Sequence, residues 1–435
     1  MVHDEGPVGL DDLEVSFDDE RVVSDAGIAL AATLAARLGM EGLVDRFVRL
    51  RPGRPGAASA GRKVMSLIYA MALGADSIDD CDVLRSGRTR RLLGGWVAAP
   101  STLGTFLRAF TFGHVRQLDR VLAEALRRAW QAGAGPGERR LVIDLDSFVG
   151  EVHGYQKQGA AFGYTRVRGY HPMLASRAET GEVLHLRLRK GSANTQRGIV
   201  RFTDELIARV ARAGANGVKL FRADSGFWNV KVFERLERAG WTYSIGVRMT
   251  EAVAALVEQI GEDAWTTIGD YPDSGEAQIA ETTLQGRRLI VRRVRTLGAQ
   301  GELFPTWRHF PFVTDRSDEI AIVEAEHRQH AVVELVIRDL KDQALAHFPS
   351  GQFHANSAWT VIAALAHNLL RWTELLGLSD RVVSAARTVR RRLLTLPGRL
   401  TTHAGRWTLH LPARWPWQQD FTEALGRIRA LPAAA

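Results

Sequence analysis

The sequence predicts an α/β protein: a mixed-sheet core interrupted by a β-rich insertion, with an all-helical segment before it and a basic region after it. Three observations carry that reading. Residues 24–132 follow helical periodicity with little strand signal. From residue 141 strand and helix signals alternate, the pattern of a sheet covered by helices. Residues 251–316 break the alternation with strands separated only by turns.

The elements follow in order. Residues 1–25 are acidic and open with Gly and Pro, a loose arm with one short strand around 13–17. Ser24 and Asp25 are placed to cap a helix reaching Leu38, and a second runs over 41–50. RPGRPGAASAGRK, 51–63, is a basic loop set by its Pro and Gly residues. Helices resume at 64–73, 79–86 and 88–93; Ser101-Thr102 opens another to 112, and 115–132 is long and amphipathic. GAGPGERR, 133–140, breaks the composition. Strand 141–149 comes next, then a hairpin of 170–178 and 183–189 around Glu179-Thr180-Gly181. Asn194-Thr195 starts a helix to 213. Strand 218–223, helix 230–239 and strand 241–247 complete the first run. The insertion reads as strands 266–270, 276–283, 287–296 and 310–314. Helix returns over 318–376, interrupted at 348–351. Between 381 and 414 there are eight arginines and no Asp or Glu, with a short strand pair at 401–411.

Composition narrows the function. The 435 residues carry a net charge of +8, which favours a polyanionic partner, most simply nucleic acid. The single cysteine, Cys81, excludes an internal disulfide and a cysteine zinc cluster. No apolar run reaches membrane-span length, and the acidic N-terminus has no apolar leader segment, so a cytoplasmic protein without membrane contact is expected. No phosphate-binding loop of the Walker type is present.

Three acidic residues stand out. LVIDLDSFV, 141–149, puts Asp144 and Asp146 inside an apolar strand, two apart and so on one face. Asp is depleted in strands and costly to bury without a partner. Such a stretch is either a strand end entering a turn or a strand-borne metal ligand. LFRADSGF, 220–227, is a strand leaving into Asp224-Ser225-Gly226, where Asp224 either caps the next helix or sits at a functional strand end. HRQHAVVELVIRDLK, 327–341, reads as one helix with an apolar stripe of Ala331, Val332, Leu335, Val336 and Leu340. His327, His330, Glu334 and Lys341 fall on one polar face. Two strand Asp and a helix Glu meeting in one pocket suit a pair of hard divalent ions flanking a phosphodiester, so two Mg²⁺ or Mn²⁺ ions are expected.

Asp146 in IDLDS, Asp224 in FRADSGF and Glu334 in HAVVELVIRDLK resemble the D, D and E of insertion-sequence DDE transposases. Within them the chain is similar to the transposase DDE domain group 1 family, of the ribonuclease H-like superfamily. That group carries Y-x2-R-x3-E-x6-K on its last helix; here the spacing is kept as His327, His330, Glu334 and Lys341, with His in place of Tyr and Arg. D-x-D followed by VHG also fits Asp144, Asp146, His153 and Gly154. The resemblance spans about 24–417.

The resemblance implies a ribonuclease H-like catalytic core interrupted by the β insertion. It implies binding of terminal inverted repeats, metal-dependent cleavage and strand transfer into target DNA, by a homodimer in a synaptic complex at the bacterial nucleoid. Catalytic and metal-ligating roles fall to Asp146, Asp224 and Glu334, with Asp144 auxiliary. Lys341 contacts phosphate, and His327, His330, Arg338, Arg390, Arg391, Arg392, Arg51 and Arg54 are the other DNA-binding candidates. The implied organisation is a helical DNA-binding domain (1–135), the first part of the core (136–250), the insertion (251–316), the Glu-bearing second part (317–378) and a basic C-terminal region (379–435). Trp265 and Trp307 of the insertion either pack or stack on an unpaired base. Two other readings stay open: a related nuclease that cuts without joining, and a DNA-binding relative whose catalytic site has decayed.

Overall fold

The computed structural model describes residues 10–434, apart from 164, 270, 272–274, 297–306, 381 and 382. Helices α1 (Ile28–Arg37), α2 (Ala60–Ala72) and α3 (Phe112–Ala129) dominate the N-terminal part. The expected strand at 13–17 is absent; those residues carry no regular structure. A two-residue strand, Val22–Val23, instead pairs with Gly398–His403, which itself pairs with Arg406–His410. Residues 22–23 thus tie the N-terminal part to the C-terminal region. Nor do Ser24 and Asp25 cap α1, whose N-cap is Gly27 with no side-chain bond. A Cβ at Gly27 would lie 1.8 Å from the Leu393 carbonyl oxygen, so chain packing sets this helix start, not capping chemistry.

The sheet is mixed and has nine strands. β1 (Leu141–Ser147) pairs antiparallel with β2 (Met173–Arg177), which turns back as β3 (Val183–Arg187). Helix α4 (Ile199–Ala213) leads to β4 (Lys219–Ala223), parallel to β1 on its other side. Helix α5 (Val230–Arg238) leads to β5 (Thr242–Gly246), parallel to β4. Covered on both faces, β1 buries Leu141, Ile143 and Leu145 completely.

Residues 251–316 begin with a helix the sequence did not signal, Glu251–Glu258. Strands β6 (Thr266–Thr267), β7 (Gly275–Leu284), β8 (Arg287–Thr296) and β9 (Arg308–Thr314) follow. They do not form a sheet of their own. β9 pairs with β5 through Phe312↔Gly246, Val313↔Ile245 and Thr314↔Ser244, so the order across the sheet is β6-β7-β8-β9-β5-β4-β1-β2-β3.

The expected single helix over 327–341 is two: α6 (Ile320–Arg328) and α7 (Val333–Lys341), joined by a 3-10 turn at Gln329–Val332. The turn changes the rotation per residue, and the apolar stripe shifts with it. Val333, Val336, Ile337 and Leu340 face the core, while Ala331, Val332 and Leu335, which helical periodicity assigns to it, are exposed.

Helix α8 (Phe353–Gly377) is buried along nearly its whole length, its polar residues Asn356, His367, Asn368, Arg371 and Glu374 included. α1, α2 and α3 pack on it, as does α9 (Gln418–Ala430), and one apolar core runs from Ile28 to Ile428. α8 also satisfies the sheet edge. The Asn368 amide accepts from the Val183 N–H (2.7 Å) and donates to the Val183 carbonyl (2.8 Å), taking the place of a missing strand.

One buried acid on α8 gives a pH prediction. Asp339 and Glu374 share the Arg371 guanidinium, two carboxylates against one cation. Burial pushes Glu374 up to about 7, only partly opposed by Arg371 and Ser384. Its contribution to stability is complete below pH 4.5 and is lost as pH rises through about 7. Glu374→Gln should therefore match the wild type in urea melts near pH 4.5 and exceed it by roughly 2–3 kcal/mol at pH 8.

Candidate active site

β1 and β4 end side by side. Their last register pair is Leu145↔Ala223; Asp146, still within β1, and Asp224, the first residue past β4, come next. Adjacent strands lie about 4.8 Å apart, so the two carboxylates leave the sheet at neighbouring points. Helix α7 packs against β1 and brings Glu334, exposed on its outer face, toward the same end. The effect is electrostatic: burial pushes the Asp146 carboxyl up to about 6, and the charges of Asp224 and Glu334 add to it. The Ser147 N–H, donating to Asp146 Oδ1 at 2.6 Å, and His330 oppose them. Asp224 and Glu334, two of the acids proposed from sequence, are thus close enough to act on the charge of the third, Asp146.

Asp224 does not cap helix α5, whose N-cap is Asn229, but caps the turn before it. Its Oδ1 accepts from the Gly226 N–H at 3.0 Å, capping a short 3-10 turn, and its side chain remains exposed. The turn is pinned from outside. Gln196 Nε2 donates to the Gly226 carbonyl (2.5 Å), and Gly246 of β5 approaches so closely that a Cβ there would lie 2.7 Å from the Ser225 nitrogen.

Asp144 sits elsewhere. It is fully buried, and both its oxygens are held by its register partner Arg222, Nε to Oδ1 at 2.7 Å and Nη2 to Oδ2 at 2.8 Å. Burial pushes its carboxyl up and the guanidinium opposes that. Arg222 also donates to the carbonyls of Glu326 and Gln329, where α6 ends and the 3-10 turn begins. A cation is the natural partner for a helix C-terminus. His330 adds a second tie: its Nε2–H donates to the Leu145 carbonyl at 3.1 Å, beside Asp146. Asp144, Arg222 and His330 therefore fix the Glu334 helix to the Asp146 strand. Sequence reasoning missed Arg222, although a lone Arg in the apolar run LFRA opposite a lone Asp in IDLD was there to be read.

His327 is half-buried, stacked on Phe312 at 4.0 Å, with Nδ1 bonded to Ser244 Oγ at 2.8 Å. Burial pushes its pKa down to about 3, so it offers a phosphate no positive charge near neutrality. A cavity of about 490 Å³ opens beside Asp224, lined among others by His327, Phe310, Arg248, Arg292 and Arg328. Buried Glu324 holds Arg292 on one oxygen (3.0 Å) and Arg328 on the other (3.3 Å).

Lys341 is exposed, its Nζ 5.2 Å from the ring centre of Phe148, two residues past Asp146. Arg338, Arg391, Arg392, Arg51 and Arg54 are exposed as well. Arg390 is not, which corrects its place among the DNA-binding candidates. It is buried with Nη1 donating to Gln343 Oε1 at 3.0 Å, because its short helix turns that face inward. Trp265 and Trp307 are both spent on Arg293, whose guanidinium lies 4.1 and 4.5 Å from their ring centres.

Asp146, Asp224 and Glu334 suit hard divalent ions. They are oxygen donors, Asp224 and Glu334 both raise the cost of charge on Asp146, and among the described residues neither Asp224 nor Glu334 forms an ion pair. Another group, Asp119, His185 and Glu205, has its ligand atoms within 4.8 Å of one another. Its charges are already answered: Arg209 and Arg116 hold Asp119, and Arg116, Arg187 and Arg201 hold Glu205. Burial pushes both carboxyls up, but these arginines and His185 outweigh it and hold them well below the usual range. A cation there would meet four guanidiniums, and an ion-pair network joining α3, α4 and β3 is the better account.

The family model described as transposase DDE domain group 1 matches residues 6–433. No curated protein matches the chain. Among solved structures, the chain is similar to a piggyBac transposase in a cryo-EM synaptic complex with hairpin DNA. The identity is 11%, the TM-score 0.48, and the match covers 86% of this chain and 80% of that one. Among the described residues no helix is long and apolar enough to cross a membrane.

Proposed function

The chain belongs to the transposase DDE domain group 1 family, and on that premise we propose that it cuts and joins DNA at the ends of an insertion sequence, with Asp146, Asp224 and Glu334 as its catalytic carboxylates. The observation that carries this is the convergence of Asp146 and Asp224 at adjacent parallel strand ends, with Glu334 in their field. The order β5-β4-β1-β2-β3, with a hairpin on one side of β1 and parallel strands on the other, supports a ribonuclease H-like core, and β6–β9 extend its edge.

Bound at these three residues, magnesium or manganese supplies the Lewis acidity that activates the attacking water or 3′-hydroxyl and steadies the leaving oxygen. The chain's own part is positional. Asp144, Arg222 and His330 hold the Glu334 helix on the strand of Asp146, and Gln196 and Gly246 hold the Asp224 turn. The guanidiniums of Arg248, Arg292 and Arg328 beside Asp224, and Lys341 beside Phe148, give the DNA backbone its cations. Arg51, Arg54, Arg391 and Arg392 extend the contact outward, and 1–135 with 379–435 form the end-binding part around α8 in a homodimer.

The test is a labelled duplex carrying the sequence that flanks the reading frame, incubated with the protein and Mg²⁺ or Mn²⁺. Cleavage at the element end, strand-transfer product and loss of both in EDTA are expected. Cleavage without joining would leave the nuclease reading; binding without either product would leave the decayed relative. Lys341→Ala should weaken duplex binding and lower the slope of log affinity against log salt by about one. An unchanged slope would remove Lys341 from the phosphate contacts.

A further inference from the structure

Between β1 and β2 the chain makes a small excursion that the catalytic account does not use. Gly150–Glu151, Ala161–Phe162 and Arg168–Tyr170 form a separate three-stranded sheet, beginning four residues after Asp146. Its base is locked. Tyr170 is buried edge-on against Phe348 and Phe353, its hydroxyl donates to the Gln158 carbonyl at 3.0 Å, and the Gln158 N–H donates to the Gly351 carbonyl at 2.8 Å. Three backbones meet with no room for side chains: a Cβ at Gly169 would lie 2.4 Å from the Gly150 oxygen, and one at Gly191 2.0 Å from the Gly169 oxygen.

The tip is the opposite. Tyr155 is 85% exposed and Phe162 63% exposed. Arg168 is the cross-strand register partner of Phe162, and its guanidinium lies 5.2 Å from the Tyr155 ring centre. The same guanidinium donates to the carbonyls of Gly154 and Tyr155, which holds the turn under the ring. Scattered exposed aromatics are ordinary, but a ring backed by an arginine, with a second exposed ring on the strand paired to that arginine and a locked base beneath, is preorganised for a flat partner. Charge selects that partner. From 147 to 171 the one acid is Glu151, against Lys157, Arg166 and Arg168, and exposed Lys341 stands over Phe148 at the root of the excursion.

We propose that Tyr155 and Phe162 form a nucleobase-stacking surface that engages an unpaired DNA strand next to the catalytic carboxylates. This rests on the transposase reading and names the strand state its site accepts. Aromatic stacking tolerates any sequence, and the neighbouring cations follow the backbone.

The experiment measures binding of fluorescent oligothymidylate and of the flanking duplex by the full chain in EDTA, on an Asp146→Ala background so that cleavage plays no part. Tyr155→Ala and Phe162→Ala should each weaken oligothymidylate binding roughly tenfold, with thermal melting unchanged. Tyr155→Phe, which keeps the ring, should bind like the parent. Alanine variants that bind the single strand as tightly as the parent would overturn the proposal. So would a Tyr155→Phe variant as weak as Tyr155→Ala, since a hydroxyl contact and not stacking would then be at work. Failure of the transposase reading shows separately, as an absence of metal-dependent cleavage by the unmutated protein.

Discussion

Replacing Asp146, Asp224 or Glu334 with Ala should each lower metal-dependent end cleavage on the order of a thousand-fold or more while the protein still binds the flanking duplex. The expectation follows from how the charge is arranged. Asp146 is half-buried with its carboxyl pushed up to about 6, and the acids that add to the push are the other two. A site that crowds carboxylates in this way stores unfavourable charge that divalent ions relieve. A thousand-fold corresponds to about 4 kcal/mol of transition-state stabilisation, a modest share of what bound ions supply to phosphodiester chemistry. Stability should change little at Glu334, which is exposed, and more at Asp224, whose loss removes the cap on Gly226. Assaying cleavage beside duplex binding separates the two effects; a Glu334→Ala variant that cuts at the parent rate would take Glu334 out of the site.

The second large effect is on folding. Asp144→Leu should destabilise the protein by roughly 3–5 kcal/mol, because it leaves the Arg222 guanidinium buried without its carboxylate. The double variant Asp144→Leu with Arg222→Met should recover much of that in urea melts, since it removes both charges. It should not recover cleavage. Arg222 also holds the carbonyls of Glu326 and Gln329, and without it the 3-10 turn that aims α7 loses its anchor. Full cleavage by a well-folded double variant would show that the pair stabilises the sheet without positioning Glu334.

Much of this was legible in the sequence because it is local. Strand β1, the hairpin β2–β3, helices α4 and α5 and the strands of 251–316 follow period and turn chemistry, and the structure has them close to the expected places. What periodicity could not give was long-range. The 3-10 turn at Gln329–Val332 is held by Arg222 and by the Leu145 carbonyl, more than a hundred residues away, so periodicity over 327–341 places Val336 and Leu340 rightly in the core but Ala331, Val332 and Leu335 wrongly. The missing strand at 13–17 and its replacement at Val22–Val23 depend on a partner near residue 398. Arg390 looked like part of an exposed basic run, because a run of three arginines does not say which one faces inward. The acids themselves were visible as misfits, carboxylates in apolar strands. Only the register separates them: Asp144 lies opposite Arg222 and is paired with it, while Asp146, one step beyond the last pair of β1 with β4, has no such partner there.

The most direct measurement counts Mn²⁺ ions bound by the full chain with the flanking duplex, by electron paramagnetic resonance titration of free manganese. The account predicts two ions on the unmutated protein, fewer on Asp146→Ala, Asp224→Ala and Glu334→Ala, and two still on Glu205→Gln. Two ions retained by all three alanine variants, or lost on Glu205→Gln alone, would contradict it and move the metal centre to the Asp119, His185 and Glu205 group.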